Sequence, residues 1–514
     1  MTVLPAQPNL DHLHRQARDL LRAAGTGDTA AAERIHAVSD QLNLTAAQLA
    51  VAREYGFASW AKLKTEVQAR SAELAQLADE FCRASIRDWT GRAARMLAAR
   101  PELASYNLAT AVVLGDVDPV RAALEADPGL VTRTDPATGW TALHAACASQ
   151  WSRLDPGRED GLVAVVRLLL DAGADPNGVV PGGGWKPLKC AVAGVPNAEI
   201  ARLLLDRGAV PDDDDLYLAG FADDHESLRL LLSGTADISE IARMALAAPI
   251  SGNDVKGLRM LLEAGADPRR YLDDSDAEGG SDHPFSVLYA AVRSDCSAEI
   301  VELLLAHGAE PERPGTDGRS PHALAVRKGR DDLAELLRRY GASDDASDVD
   351  RFLAACLRAD RKVAERQLPS DLSAQQRSAA MIRAAETGNT EAMRVMLDLG
   401  FPVDTRGGGD APGTPLHTAA HAGSADIARL LLERGADVEA RDDRWDSTPM
   451  VWAIIGSSER PTGNPTPDWP AVVEILANAG ASFDGITLSP DDDHPPSPAV
   501  VELLRRYGVE GEQR

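Results

Sequence analysis

The chain has 514 residues, 44% of them hydrophobic, 26% charged and only 4% aromatic, with a formal charge of −26. At several times the roughly 150 residues of one globular domain, it must be several domains or an array that grows by repetition, its interior filled by Ala and Leu. A field of that sign repels phosphate backbones and anionic lipid, so nucleic acid and membranes are poor partners, and no stretch approaches the roughly 18 apolar residues of a bilayer span.

The first 70 residues carry a helical pattern, LDHLHRQARDLLRAA and then LTAAQLAVAREYGFASWAKLKTEV. Phe57 and Trp60 in the second phrase are expected to dock a helix rather than a ligand. The N-terminus lacks a basic segment followed by an apolar one, so no secretory signal is expected and the cytoplasm is the expected location. The five cysteines, Cys82, Cys147, Cys190, Cys296 and Cys356, are odd in number and never spaced as CxxC. That spacing argues against a disulfide framework and against a zinc site.

Residues 71–342 read as a first block of repeats, 343–350 (SDDASDVD) as an acidic joint, and 351–514 as a second block. The last phrase, VVELLRRYGVEGEQR, is a suitable C-terminal cap. One motif runs through both blocks: LLLDAGADP from Leu168, LLLDRGAVP from Leu203, LLEAGADP from Leu261, LLLAHGAEP from Leu303 and LLLERGADV from Leu430. Its glycines fall 35 residues apart at Gly173 and Gly208, 33 at Gly308 and Gly341, and 35 at Gly400 and Gly435. Ahead of these helices stand TALHAAC from Thr141 and TPLHTAAHAG from Thr414. Thr414 can cap a helix whose first residue, Pro415, has no N–H to lose. Leu416, Ala419 and Ala420 make a narrow inner face, and Ile427, Leu430 and Leu431 follow at i, i+3 and i+4 as the stripe of an outer helix. Gly435 supplies the left-handed residue that ends it. One such pair cannot bury its own apolar face, whereas stacked copies can.

The period of about 33 residues and the T-P-L-H-x-A phrase resemble the ankyrin repeat. The phrase from Tyr55 to Lys64 resembles a segment that precedes such arrays in many bacterial proteins. The resemblance implies an all-α ankyrin-repeat solenoid of stacked helix pairs with β-hairpin fingers, residues 1–70 forming a helical N-terminal cap. It also implies that His144 and His417 bond locally and hold their turns. His421 completes an i, i+4 pair with His417, but no third ligand is evident, so no metal site is expected.

By the same resemblance, a protein partner is expected at the finger tips and concave inner helices. Candidate contacts are Trp140 and Trp185 before inner helices, Trp151 near the end of one, Trp445 in a finger and Trp452 on the helix after it. Six of the eight tryptophans, counting Trp469, fall in fingers, inner helices or insertions, and tryptophan is enriched at binding hot spots. Insertions at 149–161, 181–184, 273–284 and 457–470 mark the face on which repeat proteins collect loops. The stretches Gly182 to Gly184 and Gly407 to Gly409 lack phosphate-loop spacing and read as finger tips. The acidic balance favours a neutral or basic partner surface, toward which Asp212 to Asp215 and Asp273, Asp274 and Asp276 could steer. No cofactor is expected. The alternative is an enzyme or small-molecule-binding protein with a concave pocket in the degenerate middle, where Tyr217, Asp223, Asp224, His225, Asp282, His283 and Tyr289 cluster and a His beside carboxylates could do acid–base work.

Overall fold

The computed structural model describes residue 4 and residues 10–87, 90–180, 183–193, 195–221, 225–235, 238, 244–269, 271–272, 285–315, 317–406, 412–459, 463–484, 486, 488 and 496–509. The chain divides into two compact units, residues 1–209 and 210–514.

Unit 1 opens with helices Leu10–Gly25, Thr29–His36, Leu44–Glu54 and the long Trp60–Arg87. Asp28 and Asn43 cap the second and third by accepting backbone N–H groups, as their short polar side chains favour. Leu13, Leu20, Ile35, Val51, Leu63 and Val67 pack into one cluster, with Phe57 and Trp60 partly buried against it. Trp60 lies edge-on to His14 with ring centroids 5.0 Å apart. Both aromatics therefore dock helices, as the sequence pattern indicates.

Helix pairs follow, Leu108–Leu114 with Val117–Ala126, Ala142–Cys147 with Glu159–Asp171, and Pro187–Val192 with Ala198–Asp206. Each first helix packs on its partner, and the first two of these first helices also pack on the first helix of the pair that follows. Small residues permit this closeness. A Cβ on Gly161 would meet the Gly115 carbonyl oxygen at 2.5 Å, and one on Gly115 would meet the Leu162 nitrogen at 2.6 Å. The backbones of two pairs touch there, which only glycine allows.

Unit 2 repeats the theme from Asp213–Phe221 to the last helix, Pro498–Arg506. Its second half has one core built from Leu353, Met381, Leu416, Ile427, Met450, Val473 and Leu504, among others. Gly435 ends its helix at φ +88°, as the sequence indicates. Strand pairing among the described residues is confined to Tyr271–Leu272 with Phe285–Ser286 and a bridge from Thr134 to Thr141.

The acidic run at 343–350 is held by its neighbours. Asp344 pairs with Arg351 at 3.0 Å, and Asp345 accepts the Ser320 hydroxyl at 2.7 Å. Buried Asp350 accepts both the amide and the hydroxyl of Ser347 and lies 3.4 Å from Arg327 and 3.6 Å from Arg319.

Candidate functional site

In unit 1 the aromatic site is built where an inner helix begins. Asp135 folds the preceding loop by accepting the Ala137 and Thr138 amides and the Thr138 hydroxyl. That turn delivers Trp140, 7% exposed, to a position 6.1 Å from the half-buried Trp185. Each indole carries a cation from this chain: Arg87 lies 5.5 Å from the centre of Trp140, and Lys189 lies 5.3 Å from that of Trp185. Both distances are within cation–π range. Beside Trp140 is a cavity of about 210 Å³ bounded by Cys82 and Ile86, by Leu108 and Val112 of the next inner helix, and by Ala145. Its walls are largely apolar. Cys82 offers no nucleophile, since burial, with Asp135 and Asp79 adding to it, pushes its thiol up to about 12.

His144 stands behind this face and fixes it. Nε2 lies 3.0 Å from the Gly178 carbonyl and 3.2 Å from that of Trp185, while Nδ1 lies 2.7 Å from the Thr141 hydroxyl. Two carbonyls on Nε2 require the proton there, so the Thr141 hydroxyl donates to Nδ1. Burial pulls its pKa below the usual histidine value, against the two carbonyls, which raise it. The ring is a brace that stays neutral.

Trp151 has a different place. It is 3% exposed, its indole N–H donates to the Ser85 hydroxyl at 3.0 Å, and its ring lies 5.9 Å from Phe81. It fills the interior against the helix Trp60–Arg87. Trp469 is likewise interior, donating to the His421 carbonyl.

Unit 2 builds a second aromatic corner. Trp445 is 59% exposed, carries Arg444 at 4.9 Å from its ring centre, and meets Trp452 edge-on at 6.0 Å. Asp442 organises the corner by accepting from the Trp452 indole at 3.0 Å and from the amides of Arg444, Trp445 and Ser447. Burial opposes its charge, yet those donors hold its pKa below the usual carboxylate value. His417 and His421 both face Trp452. His421 bonds Glu459 at 2.8 Å.

The residues of the catalytic alternative are placed as follows. His225 pairs with Asp254 at 2.9 Å, a carboxylate the sequence reading did not single out. Tyr217 lies against Phe221 at 5.7 Å. Tyr289 is buried and donates to Asp317 at 2.6 Å. Burial raises its pKa, and the bond to Asp317 adds to that. Asp223, Asp224, Asp282 and His283 lie outside the described residues, as do Asp273, Asp274, Asp276, Gly182 and Gly407 to Gly409. The run Asp212 to Asp215 serves a helix start: Asp212 and Asp215 accept each other's amide, and Asp213 accepts the amides of Met244 and Ala245. Among the described residues no group of three or more His, Cys, Asp or Glu is arranged to hold a metal ion, and no helix is long and apolar enough to cross a membrane.

The sequence reading missed the stacked cations and the cavity. Arg444 adjoins Trp445 and Lys189 follows Trp185 by four positions, so those two were open to inspection. Arg87 and the cavity floor come from a helix far away in the chain, and nothing local announces them.

A family model described as ankyrin repeats (3 copies) matches residues 108–215 and 352–442. Cyclin-dependent kinase 4 inhibitor B of Mus musculus is 35% identical over 121 residues, which are 23% of this chain and 79% of that protein. Serine/threonine-protein kinase 12 of Arabidopsis thaliana is 40% identical over 71 residues, 14% of this chain and 15% of that protein's own length. The solved human ASB11 ankyrin repeat domain aligns over 46% of this chain and 98% of its own at 18% identity, with a TM-score of 0.22.

Proposed function

We propose that this chain, which belongs to the ankyrin-repeat family, binds a protein partner and does no chemistry on it. The observation that carries the reading is the tryptophan pair where a loop meets an inner helix, Trp140 with Trp185 in unit 1 and Trp445 with Trp452 in unit 2. Trp445 stands more than half exposed there, and an indole held rigidly by its neighbours offers a large contact area at small entropic cost. The mouse relative is by its name an inhibitor of a kinase, which supports a regulatory binding role. Trp151 serves as interior support. Loops before the inner helices act as fingers, and the first helices of unit 1 act as a cap over the repeat next to them. The net charge of −26 favours a partner that is neutral or basic as a whole, and five free thiols suit the reducing cytoplasm.

The test is affinity capture from native lysate with the wild-type chain and with a Trp185→Ala, Trp445→Ala variant, alongside mass spectrometry of small molecules retained by the purified protein. A stoichiometric protein is expected on the wild type, weakened on the variant by about 30-fold, as hot-spot tryptophans give. A retained metabolite with no protein partner would overturn the reading.

A further inference from the structure

A stack of repeats is held by contacts between neighbours. In unit 2 the first helices Val287–Arg293, Pro321–Arg327, Asp348–Leu357 and Ala374–Glu386 each pack on the next. In a straight row, three spacings of about 8–10 Å would set the first and fourth roughly 24–30 Å apart. An arginine and an aspartate side chain cannot bridge that. Yet Arg383, on the fourth helix, lies 2.6 Å from Asp295, in the turn that follows the first. The row therefore bends here, and at the bend Asp348–Leu357 packs on both helices of the next pair, Ala374–Glu386 and Thr390–Asp398. Lys328, from the turn after the second helix, meets the same Asp295 oxygen, Oδ2, also at 2.6 Å.

The contact is held at a cost. Asp295 adopts φ +58° at the turn position where other pairs of this unit place Gly329, Gly388 and Gly423, at φ +70°, +66° and +66°. Its Oδ1 is buried and accepts no hydrogen bond. Burial pulls the Lys328 pKa below the usual lysine value, against Asp295, which raises it. Strained turns and unpaired buried atoms of this kind collect at switch segments.

We propose that Asp295, Lys328 and Arg383 form a clasp that holds this bend and can open, so that the row of first helices has a bent and an extended state. One carboxylate oxygen gathers cations from two other pairs, and its loss frees all three pairs at once. Arg330 keeps the carboxylate in place by donating to the backbone carbonyls of Asp295 and Cys296, each at 3.2 Å. Arg383 has a second acid, Glu386 on its own helix at 3.8 Å, to turn to when the clasp opens. The clasp goes beyond partner binding: it sets the curvature of the first-helix row, whatever that row meets.

The experiment is a distance measurement by double electron–electron resonance on the full chain, with nitroxides at Ala298→Cys and Glu391→Cys. Both positions are exposed and lie on the second helices of the first and fourth pairs. The five native thiols are buried, and the chain without the two added cysteines, treated alike, is the blank. A dominant short distance is expected with the clasp intact. Asp295→Gly and Arg383→Gln are each expected to add a population longer by about 5–10 Å, up to one helix spacing. Glycine suits the positive φ of this turn, so a change in Asp295→Gly reports the lost carboxylate and not a distorted backbone. Arg358→Gln breaks a 2.8 Å pair with Asp331 that ties adjacent pairs only, and it is expected to leave the distance as it was. Circular dichroism reports folding, and should Arg383→Gln fail to fold, Asp295→Gly decides. An unchanged distance in either folded clasp variant, the same lengthening in Arg358→Gln, or failure of Asp295→Gly to fold would overturn the proposal.

Discussion

His417 shows how a residue with catalytic chemistry becomes a structural lock. Its Nδ1 accepts the Thr414 amide at 3.1 Å, so that nitrogen is bare, and Nε2–H donates to the Ser447 carbonyl at 3.1 Å. Both nitrogens are committed in the neutral form alone. Burial lowers its pKa from the usual value near 6.5, only partly opposed by the Ser447 carbonyl. The unfolded chain therefore takes up a proton near pH 6.5 that the folded chain resists. Stability from this group is fully present above about pH 6.5 and declines as the pH falls below it. A His417→Asn variant should unfold at lower urea at pH 7.5, by about 1–2 kcal/mol for the lost bonds. The gap to wild type should narrow between pH 7.5 and 5.5. A gap constant with pH would mean that the ring is not locked neutral.

At the scale of elements, the helix starts and stops could be read locally and the ties between pairs could not. Thr414 before Pro415 and Gly435 after Leu432 begin and end helices as their chemistry requires. The acids at 343–350 read in the sequence as a polar, acidic joint, and the residues that hold two of them, Ser320, Arg319 and Arg327, belong to the preceding pair. The packing of Trp151 is likewise not legible locally, since Ser85 and Phe81, which it meets, sit in a helix remote in sequence. Asp350 gives a quantitative test. It completes a capping box with Ser347 and is the carboxylate facing Arg327, whose pKa burial lowers despite that carboxylate. Asp350→Ala leaves the part-buried Arg327 guanidinium without its nearest carboxylate and should cost about 2 kcal/mol in urea unfolding. Adding Arg327→Met should restore part of the loss, because an apolar replacement removes the stranded charge. Strictly additive losses in the double variant would show that the two groups do not share an interaction.

Across the whole molecule, the five thiols serve as reporters of how the stack opens. Each is buried, and they are spread from Cys82 in the helix Trp60–Arg87 to Cys356 in Asp348–Leu357. Burial pushes Cys82 and Cys356 up to about 12, and burial with Asp295 pushes Cys296 up to about 11. At pH 8 a thiol of pKa about 12 is thiolate in only about one molecule in ten thousand, and thiolate is the reactive form. Native protein should therefore react slowly with iodoacetamide, while all five sites react at once in urea. The slow phase should not be uniform, because a repeat stack opens by local steps governed by neighbouring pairs. Cys82 borders the cavity of unit 1, whereas Cys147 lies wholly inside, with its pKa raised well above the usual value by burial. Peptide mapping over time should find Cys82 alkylated before Cys147. Equal rates at the two would mean that the cavity gives no access and that reaction waits on opening of the whole unit.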